Sequence, residues 1–124
     1  MTTKYKIPDC LNDCLVELLT RMSATNLEQF RQTKENELCK YHRGLGASLR
    51  NRWGLWGQKN SLYNWFLKRG IFHPDDMSGI VLQSLWRKLN NKPIRFKEQV
   101  KHYKDFWKAE EKKLLTILKK TNKT

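Results

Sequence analysis

His73, Asp75 and Asp76 place an imidazole and two carboxylates within four consecutive positions. Such a set could move protons or hold a polar ligand. A second reading is structural. Asp75 is a good helix cap and Asp76 would fall in the first turn, where free N–H groups and the helix dipole favour the anion. Carboxylates held that way have lowered pKa values and are poor general acids. No Ser or Cys nucleophile stands in a familiar motif beside His73, so no residue is assigned as catalytic.

Arg50, Asn51, Trp53 and Trp56 form a second cluster, with a planar cation, an amide and two indoles inside seven positions. They could line a pocket for a small ligand or peptide. Combined with the first cluster, the pocket would be built by Arg50, Trp53, His73, Asp75 and Asp76. Alternatively, Arg50 pairs with Asp75 or Asp76 and both Trp side chains are core, as Trp at helical spacing usually is.

Three cysteines are present: Cys10, Cys14 and Cys39. Cys10 and Cys14, and Cys39 and His42, share helical faces, so two helices side by side could assemble a tetrahedral zinc site. The spacings fall outside the familiar zinc signatures, and the set is only a weak metal candidate. No motif calls for a cofactor. An odd cysteine count does not suit a secreted disulfide scaffold. The opening MTTKYKIPDCLNDCL has no apolar core of a signal peptide, and no apolar run is long enough for a membrane span. The expected location is the cytoplasm.

The charge balance is lopsided: 25 Lys and Arg against 12 acids give a net charge of +13 and a pI near 9.9. Lys97, Lys101, Lys104, Lys108 and Lys112 recur at three- and four-residue intervals, which makes one continuous basic face on a helix. From Lys92 to Thr124 there are eleven basic and four acidic residues, so eleven minus four gives +7, just over half the total. Such a face could follow phosphates, meet an acidic protein or lie on an anionic membrane. No helix-turn-helix, zinc-finger or RNA-binding signature supports base-specific reading. The expected function is that of a small non-enzymatic binding protein for an acidic protein partner or nucleic acid. The alternative is a ligand-binding protein or enzyme using the pocket above.

The elements that must carry these residues are helical throughout, because no segment alternates cleanly with period two. Helices are expected over Pro8–Met22, over a short piece capped by Ser23 or Thr25, and from Thr33 or Lys34 to Trp53. A fourth runs from Leu62 to Arg69, capped by Asn60 or Ser61, and a fifth from Asp76 to Asn90. After the break at Asn91, Lys92 and Pro93, a long sixth covers Arg95–Lys120. Its stripe is Val100, Tyr103, Trp107, Leu114, Ile117 and Leu118, interrupted by Glu110 and Glu111, which argues against a long coiled coil. Gly44 and Gly46 inside the third helix point to close packing against a neighbour. The fold class is all-α, a compact bundle of about five to six helices. It divides into a motif-bearing body, 1–92, and a basic C-terminal helix, 93–124, within one domain.

Two stretches carry a resemblance: Gly44-Leu45-Gly46 with Leu49-Arg50-Asn51 and Trp53-Gly54-Leu55-Trp56, and His73-Pro74-Asp75-Asp76-Met77-Ser78. Together with the leading amphipathic helix they resemble a family of small bacterial proteins carried as a domain of unknown function. The resemblance covers about Pro8 to Leu89, leaving the basic tail outside it. By analogy with other small single-domain proteins, an accessory, inhibitor or immunity-type role in bacterial or phage conflict is expected.

Overall fold

The hub of the molecule is a helix whose sequence is apolar on nearly every side. The computed structural model describes residues 7–57 and 59–121. Residues 1–6 and 122–124, the outer ends of the body and tail units, lie outside the described residues. Among the described residues, six α-helices appear in chain order: α1 (Leu11–Arg21), α2 (Ala24–Gln32), α3 (Ala47–Arg52), α4 (Ser61–Lys68), α5 (Pro74–Leu89) and α6 (Phe96–Thr121). No strand occurs among the described residues.

The hub is α5, with Met77, Ile80, Val81, Leu82, Leu85 and Trp86 buried around its circumference. A helix apolar on several sides has to be surrounded, and α1, α2, α3 and α6 all pack on it. From α1 come Leu11, Cys14, Leu15 and Leu18, and from α4 Leu62, Tyr63 and Phe66. Phe30, Leu49, Trp53 and Leu55 complete one continuous core.

Several boundaries differ from the sequence expectation. The first helix starts at Leu11, and Pro8 is buried ahead of it. The expected continuous helix from residue 33 to 53 is three pieces. A 3-10 segment (Glu35–Tyr41) leads into a π-helical turn (His42–Gly46) and then into α3. Its apolar spacing is unchanged, so periodicity alone read it as one helix. Of the two glycines, Gly46 does meet a neighbour: a Cβ there would stand 3.0 Å from Arg50 Nη1 and 3.3 Å from the Tyr41 carbonyl. Gly44 faces open space. The caps by Ser23 and Asn60 form as expected, accepting from the Asn26 and Tyr63 amides at 3.1 and 2.8 Å.

The chain turns sharply into α6, with Asn91 and Arg95 both at φ near +55° (55° and 54°). The first three turns of α6 lie against the body. Gln99 donates to Ser84 Oγ (3.1 Å) and to the Ile94 carbonyl (2.9 Å), and Val100 is buried in the core. Two glycines of the body receive this helix. Gly70 (φ +92°) lies under the Lys104 stem, and Gly79 lies under the Tyr103 hydroxyl, 2.6 Å from where a Cβ would be. From Glu111 to Thr121 every residue of α6 is exposed, so the helix runs past the edge of the body.

Candidate functional site

The two sequence clusters meet at Arg50. Its guanidinium, buried beneath α5, donates to Ser78 Oγ (2.7 Å) and to the His42 carbonyl (3.0 Å). Its Nε lies 3.4 Å from Asp75 Oδ1. A buried cation is tolerable only when its donors are met, and the π-helical turn and α5 together meet them. His42 Nε2 approaches Asp75 Oδ2 at 3.8 Å from the other side.

The cap of α5 is a correction. His73, not Asp75, is the N-cap: its Nδ1 accepts the Asp75 amide proton at 3.0 Å. That bond needs the Nδ1 lone pair, so the 3.8 Å approach of the same nitrogen to Asp75 Oδ2 is no ion pair while the cap is made. Pro74 occupies the first helical position, where its missing N–H costs nothing. Asp75 is thereby left free to face Arg50 and His42.

Asp76 is a second correction. Burial pushes its carboxyl above the ordinary carboxylate range, and the Trp107 indole N–H, donated at 2.7 Å to Oδ2, only partly offsets this. A position in the first turn of a helix favours a lowered value; desolvation outweighs it here. Trp107 also stacks on His73 (centroids 5.8 Å apart, planes at 18°), while Trp56 meets the same ring edge-on at 5.7 Å.

The named pocket of Arg50, Trp53, His73, Asp75 and Asp76 is therefore not one open cavity. Trp53 is wholly buried core, Arg50 is enclosed, and Asn51 is exposed. Trp56, which one reading placed in the core, is 53% exposed. Asp75 and Asp76 instead share a cleft of about 740 Å³ with Glu35, Cys39, His42 and Tyr103, and Gly79 and Leu82 also line it. Glu35 in that wall is paired with Arg87 at 2.8 Å. Among the described residues, no three His, Cys, Asp or Glu side chains are grouped so as to hold a metal ion. The set Cys10, Cys14, Cys39 and His42 is not assembled: Cys14 is buried in α1 while Cys39 is exposed.

Lys97, Lys101, Lys104, Lys108 and Lys112 are all exposed along one side of α6. Across a groove of about 510 Å³ stands Arg69, and Phe96 and Val100 help to line it. The Arg69 guanidinium lies 3.9 Å over the Trp65 ring and donates to the Trp65 carbonyl at 2.9 Å. Sequence reading missed Arg69, because its relation to the lysine row exists only once α4 and α6 are adjacent. It missed Ser78 for the same reason, and read Trp107 only as part of the apolar stripe of the last helix.

The molecule is an all-α protein, a helical body with a long basic helix docked on it. Residues 7–89 match the family described as a domain of unknown function, DUF6794, and the chain belongs to that family. The whole of α6, Phe96–Thr121, lies beyond the matched segment. No curated protein and no solved structure matches the chain.

Proposed function

We propose that this protein is a non-enzymatic binding protein whose α6 face engages an acidic protein partner. The observation that carries the reading is the lysine row of α6 facing Arg69 across a groove with Phe96 and Val100 in its wall. Cationic rims over apolar lining suit an acidic segment that also brings an apolar side chain. Nucleic acid would use chiefly the rims, since the Phe96 ring is already packed on Trp65 (centroids 5.3 Å apart) and Val100 offers a base no stacking face, which makes it the less favoured of the two polyanions. The reading places the protein in the bacterial cytoplasm, where its three free thiols would stay reduced. An accessory or inhibitor role, as in conflict systems, fits a small domain that works by binding.

The test is a pull-down from the native host with and without nuclease, followed by a salt titration of the purified complex. A partner retained after nuclease treatment, released as salt rises, and lost with Lys101→Glu/Lys104→Glu/Lys108→Glu is the expected result. A complex that disappears with nuclease would reassign the face to nucleic acid. A complex indifferent to salt would remove electrostatics as its driver.

A further inference from the structure

The groove between the lysine row and Arg69 does not end at Lys108. Lys104 and Lys108 also line a second groove of about 580 Å³, walled by Gly70, Phe72 and Trp107, with Glu110 and Glu111 at its far end along α6. Lys97, Lys104, Lys108 and Glu111 follow one another by seven, four and three residues, so both grooves lie along one side of the helix. The Lys104 stem crosses between them on Gly70, which carries no side chain to obstruct it. Lys97 to Glu111 is fourteen helical steps, about 21 Å, a length that about six residues of extended chain span. The two halves differ in kind. Around the first, Arg69, Lys97, Lys101, Lys104 and Lys108 face one acid, Asp105, which Lys101 already holds at 2.6 Å. Around the second, two lysines and two glutamates balance, and the wall is aromatic.

The aromatic half is ordered before anything enters it. The Trp107 indole is fixed by its 2.7 Å bond to Asp76 and by the His73 ring stacked on it. Phe72 rests against Trp107, ring centroids 5.1 Å apart, and is still 46% exposed. Two held rings open to solvent beside ammonium groups favour an aromatic visitor. Such a ring packs edge or face on Phe72 and Trp107. It also offers its own face to Lys104 or Lys108, which an aliphatic side chain cannot do. Because the walls are already fixed, little order is lost in seating it.

We infer that the second groove is the anchor pocket for the acidic partner, taking one aromatic side chain that follows the partner's acidic residues. The inference rests on the function proposed above and names the segment recognised. Its acids lie against Arg69, Lys97 and Lys101, its aromatic ring against Phe72 and Trp107, and a Lys or Arg beyond the ring meets Glu110 and Glu111. Charge complementarity sets that order. An acid beyond the ring would meet two like charges, and a cation at the other end would meet five. Lys104 stands between and serves both halves, an acid on one side and the ring on the other. A segment acidic throughout would fill the first groove and be turned away from the second.

The experiment is fluorescence anisotropy of fluorescein-labelled hexapeptides with the full chain at about 50 mM salt, where exposed charges are weakly screened. The reference peptide reads Glu-Asp-Glu-Gly-Trp-Lys and is made in both chain directions, the tighter binder being carried forward. Replacing its Trp by Ala should weaken binding about tenfold, and replacing its Lys by Glu about fivefold. Phe72→Ala should erase the preference for Trp over Ala. Glu110→Lys/Glu111→Lys should reverse the preference for Lys over Glu. Each is a ratio read within one folded variant, so a change in stability does not imitate it. Equal binding of the Trp and Ala peptides overturns the anchor. If salt and Lys101→Glu/Lys104→Glu/Lys108→Glu still abolish both, the acidic-partner reading stands without it. A preference for Lys over Glu that survives the change at Glu110 and Glu111 overturns the order. If no peptide binds, the inference falls, while the pull-down still decides whether a larger acidic surface meets the row. Tighter binding of oligothymidylate than of any peptide, lost with Phe72→Ala, would give the corner to a nucleic-acid base instead.

Discussion

The indole N–H of Trp107 donates a 2.7 Å hydrogen bond to the carboxylate of Asp76. This joins a helix outside the family segment to the second turn-forming acid of the His-Pro-Asp-Asp block inside it. The bond keeps a desolvated carboxylate satisfied and ties α6 to the first turn of α5.

Replacing Trp107 with Phe keeps the ring and removes the donor. The expected cost is about 1–2 kcal/mol, that of leaving a half-buried acceptor short of a partner. The Asp76 pKa should rise further, because the hydrogen bond is what lowers it. Denaturant titration and carboxyl NMR against pH read the two effects separately.

The raised Asp76 pKa makes a signed prediction about pH. The folded protein takes up this proton at a higher pH than the unfolded chain, whose value is near 3.8. Stability from this group therefore rises as pH falls through the folded pKa, and levels off below the unfolded one. Wild type should gain on Asp76→Asn over that interval. Parallel stability curves for the two proteins would contradict it.

Arg50→Ala should be severe. It removes the donors that hold Ser78 and the His42 carbonyl and leaves a cavity under α5. A loss of about 2–4 kcal/mol is expected, lowering the melting temperature by roughly 10 °C or more. Asp75→Asn should cost less, about 1 kcal/mol, because Asp75 is partly solvated and its attraction is screened.

Gly79→Ala has opposite signs in two backgrounds. In wild type the new Cβ collides with the Tyr103 hydroxyl at 2.6 Å, whereas the next ring atom, Cζ, is 3.6 Å away. The change should destabilise by about 1–2 kcal/mol. In Tyr103→Phe the collision is gone and Ala is the better helix former, so the same change should stabilise by up to about 1 kcal/mol. A double-mutant cycle measures the coupling. Additive effects would mean that Tyr103 does not rest on Gly79.

The thiols should separate by reactivity. Burial pushes the Cys14 thiol far above its usual value, and it has no access to solvent. Cys39 is exposed. A thiol reagent should modify Cys39 readily in the native protein and reach Cys14 only on unfolding.

Much of the fold was legible from the order of residues. Leu11, Leu15 and Leu18, or Ile80, Val81 and Leu85, announce buried helix faces because the α-helical period is a local property of the backbone. Asn60 and Ser23 announce starts, because a cap needs only a side-chain oxygen and the amide three residues on. The basicity of the last helix, and its stripe from Val100 to Leu118, are likewise one-dimensional facts. What the tertiary structure alone decided concerns residues far apart in the chain. Whether Asp75 or His73 caps α5 depended on where Arg50 stands, since an aspartate facing a buried guanidinium is better used there than at a cap. Whether Asp76 is lowered by its helix or raised by burial depended on how far the rest of the fold covers it, and Trp107, 31 positions away, offsets only part of the rise. Whether Leu114 and Leu118 are core depended on where the body ends beneath α6. Period and propensity report what a residue prefers. Desolvation and pairing, which set the chemistry of Asp76 and the partner of Arg50, are fixed only when distant segments close over them.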